Sequence, residues 1–103
     1  PQRKIATDIR IRNRYIIKNI ETVNDETVMN MLGCSRTQFK AHIEKHFKPG
    51  MSWNNHGAWH QEHDKPLSKF DLLDEKQVKI ANHYTNIYPM WGLNNYIKYN
   101  KNV

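Results

Sequence analysis

Three kinds of chemical group stand close together in the segment Trp59-His60-Gln61-Glu62-His63-Asp64-Lys65-Pro66. The carboxylate of Glu62 can hold a divalent cation, the imidazole of His63 can take a proton from water near neutral pH, and the ammonium group of Lys65 can contact phosphate. These groups are the ones that hydrolysis of a phosphodiester bond needs. Each is also an ordinary surface residue, so the segment by itself indicates this chemistry only weakly.

The same segment sets the expected strand content. The region from Ala58 to Pro66 has no clear helical period, so we expect an extended segment or a hairpin there. Downstream, Asp74 is placed to cap a short helix over residues 75–82, with Val78 and Ala81 facing inward. Pro89-Met90-Trp91-Gly92 has the composition of a turn-like break, and a last short helix is predicted from about Leu93 to Tyr99.

Upstream of this segment the hydrophobic spacing predicts three helices. In the first, from Gln2 to Ile20, the isoleucines at 5, 9, 16 and 20 suit one helical face. A strand competes there, because Ile9 and Ile11 alternate with Arg10. A short helix follows from Glu26 to Leu32 and is stopped by Gly33. The third, from Arg36 to Phe47, opens with the capping-box form Ser35-Arg36-Thr37-Gln38.

The charge balance points to a partner that carries phosphate. The 103 residues include 16 Lys and Arg against 10 Asp and Glu, a formal net charge of +6. A small basic domain most often meets nucleic acid and, less often, an anionic membrane. Greater solubility is the plain alternative. Arg10 and Arg14 of the first helix are candidate contacts to DNA phosphates, although a solvated helical face explains them equally well.

Composition also excludes several classes of protein. Cys34 is the single cysteine, so the sequence excludes an intrachain disulfide and a cysteine-based zinc cluster. A buried thiol is the expected role of Cys34. No apolar run approaches the roughly 20 residues that a membrane helix needs, and no signal-peptide pattern opens the sequence. We therefore expect an intracellular protein without membrane contact, in the cytoplasm of a bacterial or virus-infected cell.

Several separated blocks resemble, in order, the HNH endonucleases of phages and large DNA viruses. The central block is similar to the family form W-H-x-D-H-x-x-P, and it is followed by Y-x-N-x-x-P-x-W and N-x-x-K. The matching blocks in this chain are Gly33-Cys34-Ser35, Phe47 to Asn54, Gly57 to Phe70, His83 to Trp91, and Asn94 to Lys98. The resemblance implies an α+β fold: a small, mostly helical domain around a ββα-metal finger with a short antiparallel hairpin. It also implies two parts, a basic helical segment over residues 1–31 and a nuclease domain over residues 32–103.

The resemblance further implies a role for each matching residue. His63 takes the place of the general base, and Asn86 that of the central asparagine, which braces the loop holding the base. Glu62 and Asn95 take the places of the two metal ligands. Two lysines, Lys65 and Lys98, are expected to contact phosphate, and His60 is expected to be supportive.

The implied activity is metal-dependent hydrolysis of DNA, by nicking or by double-strand cleavage. Two oxygen ligands favour Mg²⁺, with Mn²⁺ substituting, over Zn²⁺ or Ni²⁺. Two alternatives remain open. One is an HNH-derived module that binds DNA without turnover, since Glu62, Asp64 and Lys65 depart from the family pattern. The other is a transition-metal protein built on the histidines at 56, 60, 63 and 83.

Overall fold

A computed structural model describes residues 1–92 of the chain. Within that range, besides three 3-10 helices of three residues each, there are four α-helices and two β-strands: α1 (Gln2–Lys18), α2 (Asp25–Leu32), α3 (Arg36–Lys45), β1 (Trp59–His63), α4 (Glu75–Ala81) and β2 (Ile87–Trp91). This is the predicted α+β class with its antiparallel pair of strands. The helix predicted from Leu93 to Tyr99 lies outside the described residues, as do Asn95 and Lys98.

Residues near the amino end form a helix, α1, and not the strand that the sequence also allowed. A strand would place Ile9 and Ile11 on one face, since side chains two residues apart point the same way. In the structure Ile9 is 6% exposed and Ile11 is 55% exposed. Ile9 and Ile16, which lie at helical spacing, are both buried, so the prediction of a helix is confirmed, although α1 ends at Lys18 rather than at Ile20.

Local capping fixes the ends of α2 and α3. Gly33 ends α2 with a left-handed φ of 78°, and a Cβ atom there would lie 2.8 Å from the Cδ2 atom of His83. The predicted capping box opens α3: Ser35 Oγ accepts from the Gln38 N–H at 3.1 Å, and Gln38 Oε1 accepts from the Ser35 N–H at 3.0 Å. The α3 helix ends at Lys45, two residues before the predicted end at Phe47. Phe47 leaves the helix to pack in T-shaped contact with Trp53 and Trp59.

The two strands pair antiparallel, with Trp59 opposite Trp91 and His63 opposite Ile87. Residues 64–86, which include α4, connect them. The predicted break at residues 89–92 is therefore wrong, because β2 continues through Pro89 to Trp91. In a sheet of two strands each strand is an edge, and an edge strand tolerates a proline that cannot donate a backbone hydrogen bond.

The shorter α4 agrees closely with its prediction. It begins at Glu75, and Asp74 accepts from the Lys76 N–H at 2.9 Å to cap it. Ala81 is fully buried, and Val78 packs against the same apolar cluster.

Helix α1 belongs to both apolar clusters of the fold. Ile16 and Ile17 join a cluster with Phe39, Trp59 and Ile87. Nearer the amino end of α1, Ile9 packs with Leu67, Leu72 and Ala81. The first 31 residues and the rest of the described chain therefore share a core. None of the helices in residues 1–92 is long and apolar enough to cross a bilayer.

Cys34 lies in the larger of these clusters. Its side chain is 1% exposed, and burial raises the pKa of the thiol to about 11. A thiol in this environment stays protonated at neutral pH and is a poor nucleophile. The expectation of a buried cysteine is confirmed.

Candidate active site

The imidazole of His63 is held at the end of β1. Trp59 lies on the same face of the strand and is completely buried, and its indole N–H donates to the Ser52 carbonyl at 2.7 Å. His63 Nε2 donates to Asn82 Oδ1 at 2.8 Å. Burial lowers the pKa of His63, the hydrogen bond to Asn82 opposes this shift, and the charge of Arg10 adds to it. The imidazole is therefore predominantly neutral at pH 7, which is the state that can accept a proton.

Asn82 is itself fixed by a buried network. It caps the carboxyl end of α4 and is 2% exposed. Its Nδ2 donates to the Met31 carbonyl at 3.1 Å and to Asn13 Oδ1 at 3.2 Å. Asn13, on α1 and 1% exposed, returns a hydrogen bond from its Nδ2 to Asn82 Oδ1 at 2.7 Å. The position of His63 thus depends on α1, α2 and α4 together.

Sequence reasoning missed both of these asparagines. A signal for Asn13 was present, because positions 9, 13, 16 and 20 form one helical stripe and Asn13 is the polar member of it. A polar side chain in an apolar stripe must find a buried partner. Asn82 carries no comparable signal, since it lies at the end of a predicted helix, where asparagine is common.

A cleft of about 400 Å³ opens between α1 and β1 beside His63. Five of the residues predicted from the sequence line it: Arg10, Arg14, His60, Glu62 and His63. The two arginines give one wall positive charge, and both side chains are exposed. The remaining lining residues are Asn13, Gln61, Pro66 and Leu67. The fold thus brings together side chains that are about 50 residues apart along the chain.

Asn86 braces the loop that follows His63. Its Oδ1 accepts from the Lys65 N–H at 2.9 Å, and its Nδ2 donates to the Lys65 carbonyl at 3.1 Å. The same Nδ2 donates to the Ala81 carbonyl at 2.8 Å. The side chain therefore ties the loop after β1 to the end of α4, which is the bracing position that the resemblance implies.

Glu62 lies at the meeting of two clefts. Besides the arginine-lined cleft, it lines a second one of about 390 Å³ with His46, Lys48 and Tyr88, the last of which lies opposite it on β2. Glu62, which is adjacent to His63 in the chain, therefore borders both clefts. The second predicted ligand, Asn95, is outside the described residues.

Lys65 and His60 take different positions. The exposed Lys65 places its Nζ 4.8 Å from the centroid of the Phe70 ring and does not line the arginine-lined cleft. His60 does line it, and its ring centroid lies 6.4 Å from that of His56.

The four histidines of the transition-metal alternative are not gathered into one site. His63 is bonded to Asn82, while His83 packs beside Gly33 and bonds Thr85 Oγ1 through Nδ1 at 2.7 Å. In the part of the chain that the structure describes, no three side chains among His, Cys, Asp and Glu are grouped to hold a metal ion. The histidine-cluster alternative therefore gains no support from the structure.

Two proteins of Acanthamoeba polyphaga mimivirus, both described as uncharacterized, are similar to this chain. One is 37% identical over 83 residues, covering 80% of this chain and 36% of that protein. The other is 30% identical over 105 residues, covering 95% of this chain and 46% of that protein. The chain thus spans less than half the length of each of these relatives. No family model and no solved structure matches the sequence.

Proposed function

We propose that this chain is a metal-dependent endonuclease of the HNH type that hydrolyses DNA phosphodiester bonds, by nicking or by double-strand cleavage. One observation carries the proposal. His63 and Glu62, which are consecutive residues of β1, both line a cleft that Arg10 and Arg14 of α1 also line. A neutral imidazole, a carboxylate and fixed positive charge around one space are what hydrolysis of a phosphodiester requires.

In this proposal the reaction begins at His63. Its imidazole accepts a proton from the water that attacks phosphorus, while Arg10 and Arg14 hold the phosphate oxygens and offset their charge. Asn86 keeps the loop after β1 in place, so that the base stays aligned. His60 lines the cleft as a supporting group, and Lys65 and Lys98 supply further contacts to phosphate.

The residues near the cleft fit a cation bound weakly through oxygen. Glu62 offers a carboxylate there, and Asn95 is proposed as the second oxygen donor. With few protein ligands, most of the coordination sphere is left to water and phosphate, which suits Mg²⁺ and also admits Mn²⁺. When bound, such an ion neutralises charge that builds on the phosphate and on the leaving oxygen.

The proposal also extends to the cell in which the protein acts. Both similar proteins are viral. We place the activity in the cytoplasm of a virus-infected cell, with DNA as the partner.

The test uses supercoiled plasmid with Mg²⁺ or Mn²⁺. Wild-type protein is expected to nick or linearise the plasmid, and a chelator is expected to stop it. His63→Ala should abolish cleavage, whereas His56→Ala, which truncates a partly buried histidine outside the cleft, should retain it. Glu62→Gln keeps the shape of the side chain but removes its charge, so it should raise the Mg²⁺ concentration that half-maximal cleavage needs.

Two outcomes contradict the proposal. Cleavage that survives His63→Ala comes from another residue or another protein. Salt-sensitive DNA binding that ignores a chelator, with no cleavage at any metal, identifies the chain as the binding module without turnover.

A further inference from the structure

The Met31 carbonyl decides which way the Asn82 side chain faces. The oxygen and nitrogen of an asparagine amide have nearly the same shape, so their neighbours determine which atom lies where. A backbone carbonyl can accept a hydrogen bond but cannot donate one. The atom of Asn82 that lies 3.1 Å from the Met31 oxygen must therefore be Nδ2.

The orientation of Asn82 then fixes its other contacts. Its Oδ1 faces two groups at once, His63 Nε2 at 2.8 Å and Asn13 Nδ2 at 2.7 Å. An amide oxygen has two lone pairs and no hydrogen, so both neighbours must donate to it. Asn13 completes the pair, since its own Oδ1 accepts from Asn82 Nδ2 at 3.2 Å.

From these contacts we infer that Asn82 is a positioning residue that holds neutral His63 in one tautomer, with the hydrogen on Nε2 and the lone pair on Nδ1. A neutral imidazole carries one N–H, and its second nitrogen is then an acceptor. Nδ1 is therefore the nitrogen that takes the proton from water in the proposed hydrolysis. This inference rests on the proposed function for its catalytic meaning, whereas the tautomer itself follows from the hydrogen bonds alone.

The residues that orient His63 lie in the buried interior of the protein. Asn13 and Asn82 are each at most 2% exposed, so their bonds do not compete with water. Reversing the Asn82 amide would set its Oδ1 against the Met31 carbonyl, and although His63 and Asn13 could exchange their donor and acceptor roles in response, the carbonyl could not. The reversed amide would therefore lose the hydrogen bond to Met31 and set two acceptors, its Oδ1 and the carbonyl oxygen, against each other in a buried place, which strongly disfavours it.

The experiment measures the tautomer of His63 by long-range ¹H–¹⁵N correlation NMR of uniformly ¹⁵N-labelled protein above the pKa of the ring. Wild-type His63 is expected to show an N–H-type Nε2 and a lone-pair-type Nδ1. His42 is an internal reference, because its Nε2 donates to the Ile87 carbonyl at 2.8 Å and is fixed in the same tautomer by another group. A wild-type His63 with its hydrogen on Nδ1 overturns the inference, whatever the variants do.

Two matched truncations locate the cause. Asn82→Ala removes the acceptor, so His63 should change to a mixture of tautomers while His42 keeps its own. Asn13→Ala truncates the same residue type at equal burial but leaves the Met31 carbonyl to orient Asn82, so His63 should keep its tautomer. An unchanged His63 in folded Asn82→Ala overturns the role of Asn82. If that variant does not fold, the wild-type spectrum and Asn13→Ala decide the matter.

Cleavage gives a second readout that separates this inference from the proposed function. In Asn82→Ala, kcat should fall by about 10-fold or more with little change in KM, because a misplaced tautomer impairs proton transfer and leaves DNA binding intact. A wild-type protein with the expected tautomer and no cleavage would contradict the proposed function alone. Cleavage with the opposite tautomer would contradict this inference alone.

Discussion

The side-chain amide of Asn86 bonds both backbone polar groups of Lys65, accepting from the N–H at 2.9 Å and donating to the carbonyl at 3.1 Å. This is the pairing that a neighbouring strand would offer, and it comes from one side chain. The Asn86 side chain thus fixes the loop that follows the end of β1.

Removal of this brace should cost stability. Asn86→Ala deletes the two bonds to Lys65 and a third to the Ala81 carbonyl. We expect the free energy of unfolding to fall by about 1–3 kcal/mol, since the partly buried Ala81 carbonyl loses its partner and the two exposed backbone groups of Lys65 must bond to water instead. Urea unfolding followed by circular dichroism measures the change. The control is Asn54→Ala at an exposed position, which should leave the midpoint nearly unchanged; equal loss in both variants would contradict the bracing role.

The two arginines of the cleft should set the affinity for DNA. Arg10→Ala and Arg14→Ala should each weaken binding, and each should reduce the slope of log K against log salt by about 1, because one phosphate contact is lost. Fluorescence anisotropy of a labelled duplex across a KCl series gives both quantities. Arg12→Ala removes the same charge from the same helix outside the cleft. An equal change of slope in all three variants would show that net charge, rather than the cleft, binds the DNA.

Acid should destabilise the fold before the carboxylates titrate. Burial is the main cause that lowers the pKa values of His42, His56 and His63 below 6.5. Between the lowered values and 6.5 the unfolded chain binds protons that the folded chain does not, so stability rises with pH in this window. The free energy of unfolding should therefore be lower at about pH 5.5 than at about pH 7.5.

His42 offers the cleanest check of this pH dependence, because it lies on α3 and donates to the Ile87 carbonyl. His42→Gln retains a donor but cannot take up a proton, so the difference in stability between the two pH values should shrink. An unchanged or larger difference would assign the effect to other groups. Urea titrations of both proteins at the two pH values supply the comparison.

The capping box of α3 should be worth a measurable share of stability. Ser35→Ala removes the oxygen that accepts from the Gln38 N–H and is expected to cost about 1 kcal/mol. Thermal unfolding measures the loss as a lower Tm. Ser68→Ala is the matched control, since Ser68 is exposed and lies outside any helix cap. A Tm that drops equally in both variants would show that the cap adds nothing.

Local signals in the sequence were enough to predict the four α-helices that lie within residues 1–92. Capping at Ser35 and Asp74 and the stop at Gly33 act within a few residues, so they are visible in the chain itself. The strand through Pro89 was predicted as a break, because the propensity of proline is local whereas its pairing with Gln61 spans 28 residues. Tertiary pairing overrode the local preference there.

In the candidate site, too, some residues could be found from the sequence and others could not. Glu62 and His63 are neighbours in one motif, and the resemblance also assigns Asn86 its bracing position. Asn13 and Asn82, which are 69 residues apart, meet because α1 and α4 pack on the same apolar cluster. Such a contact depends on the docking of helices, which spacing within either helix does not reveal.

The single thiol of Cys34 can report the rate at which the core of the protein opens. With 1% of its surface exposed and a pKa of about 11, it can meet a disulfide reagent only when the cluster around it comes apart. The absorbance of the thiol that such a reagent releases would then measure the rate of opening, and the protein would need no added label. Because this cluster joins α1 to α2, α3 and both strands, the rate of that reaction reports how often the shared core opens.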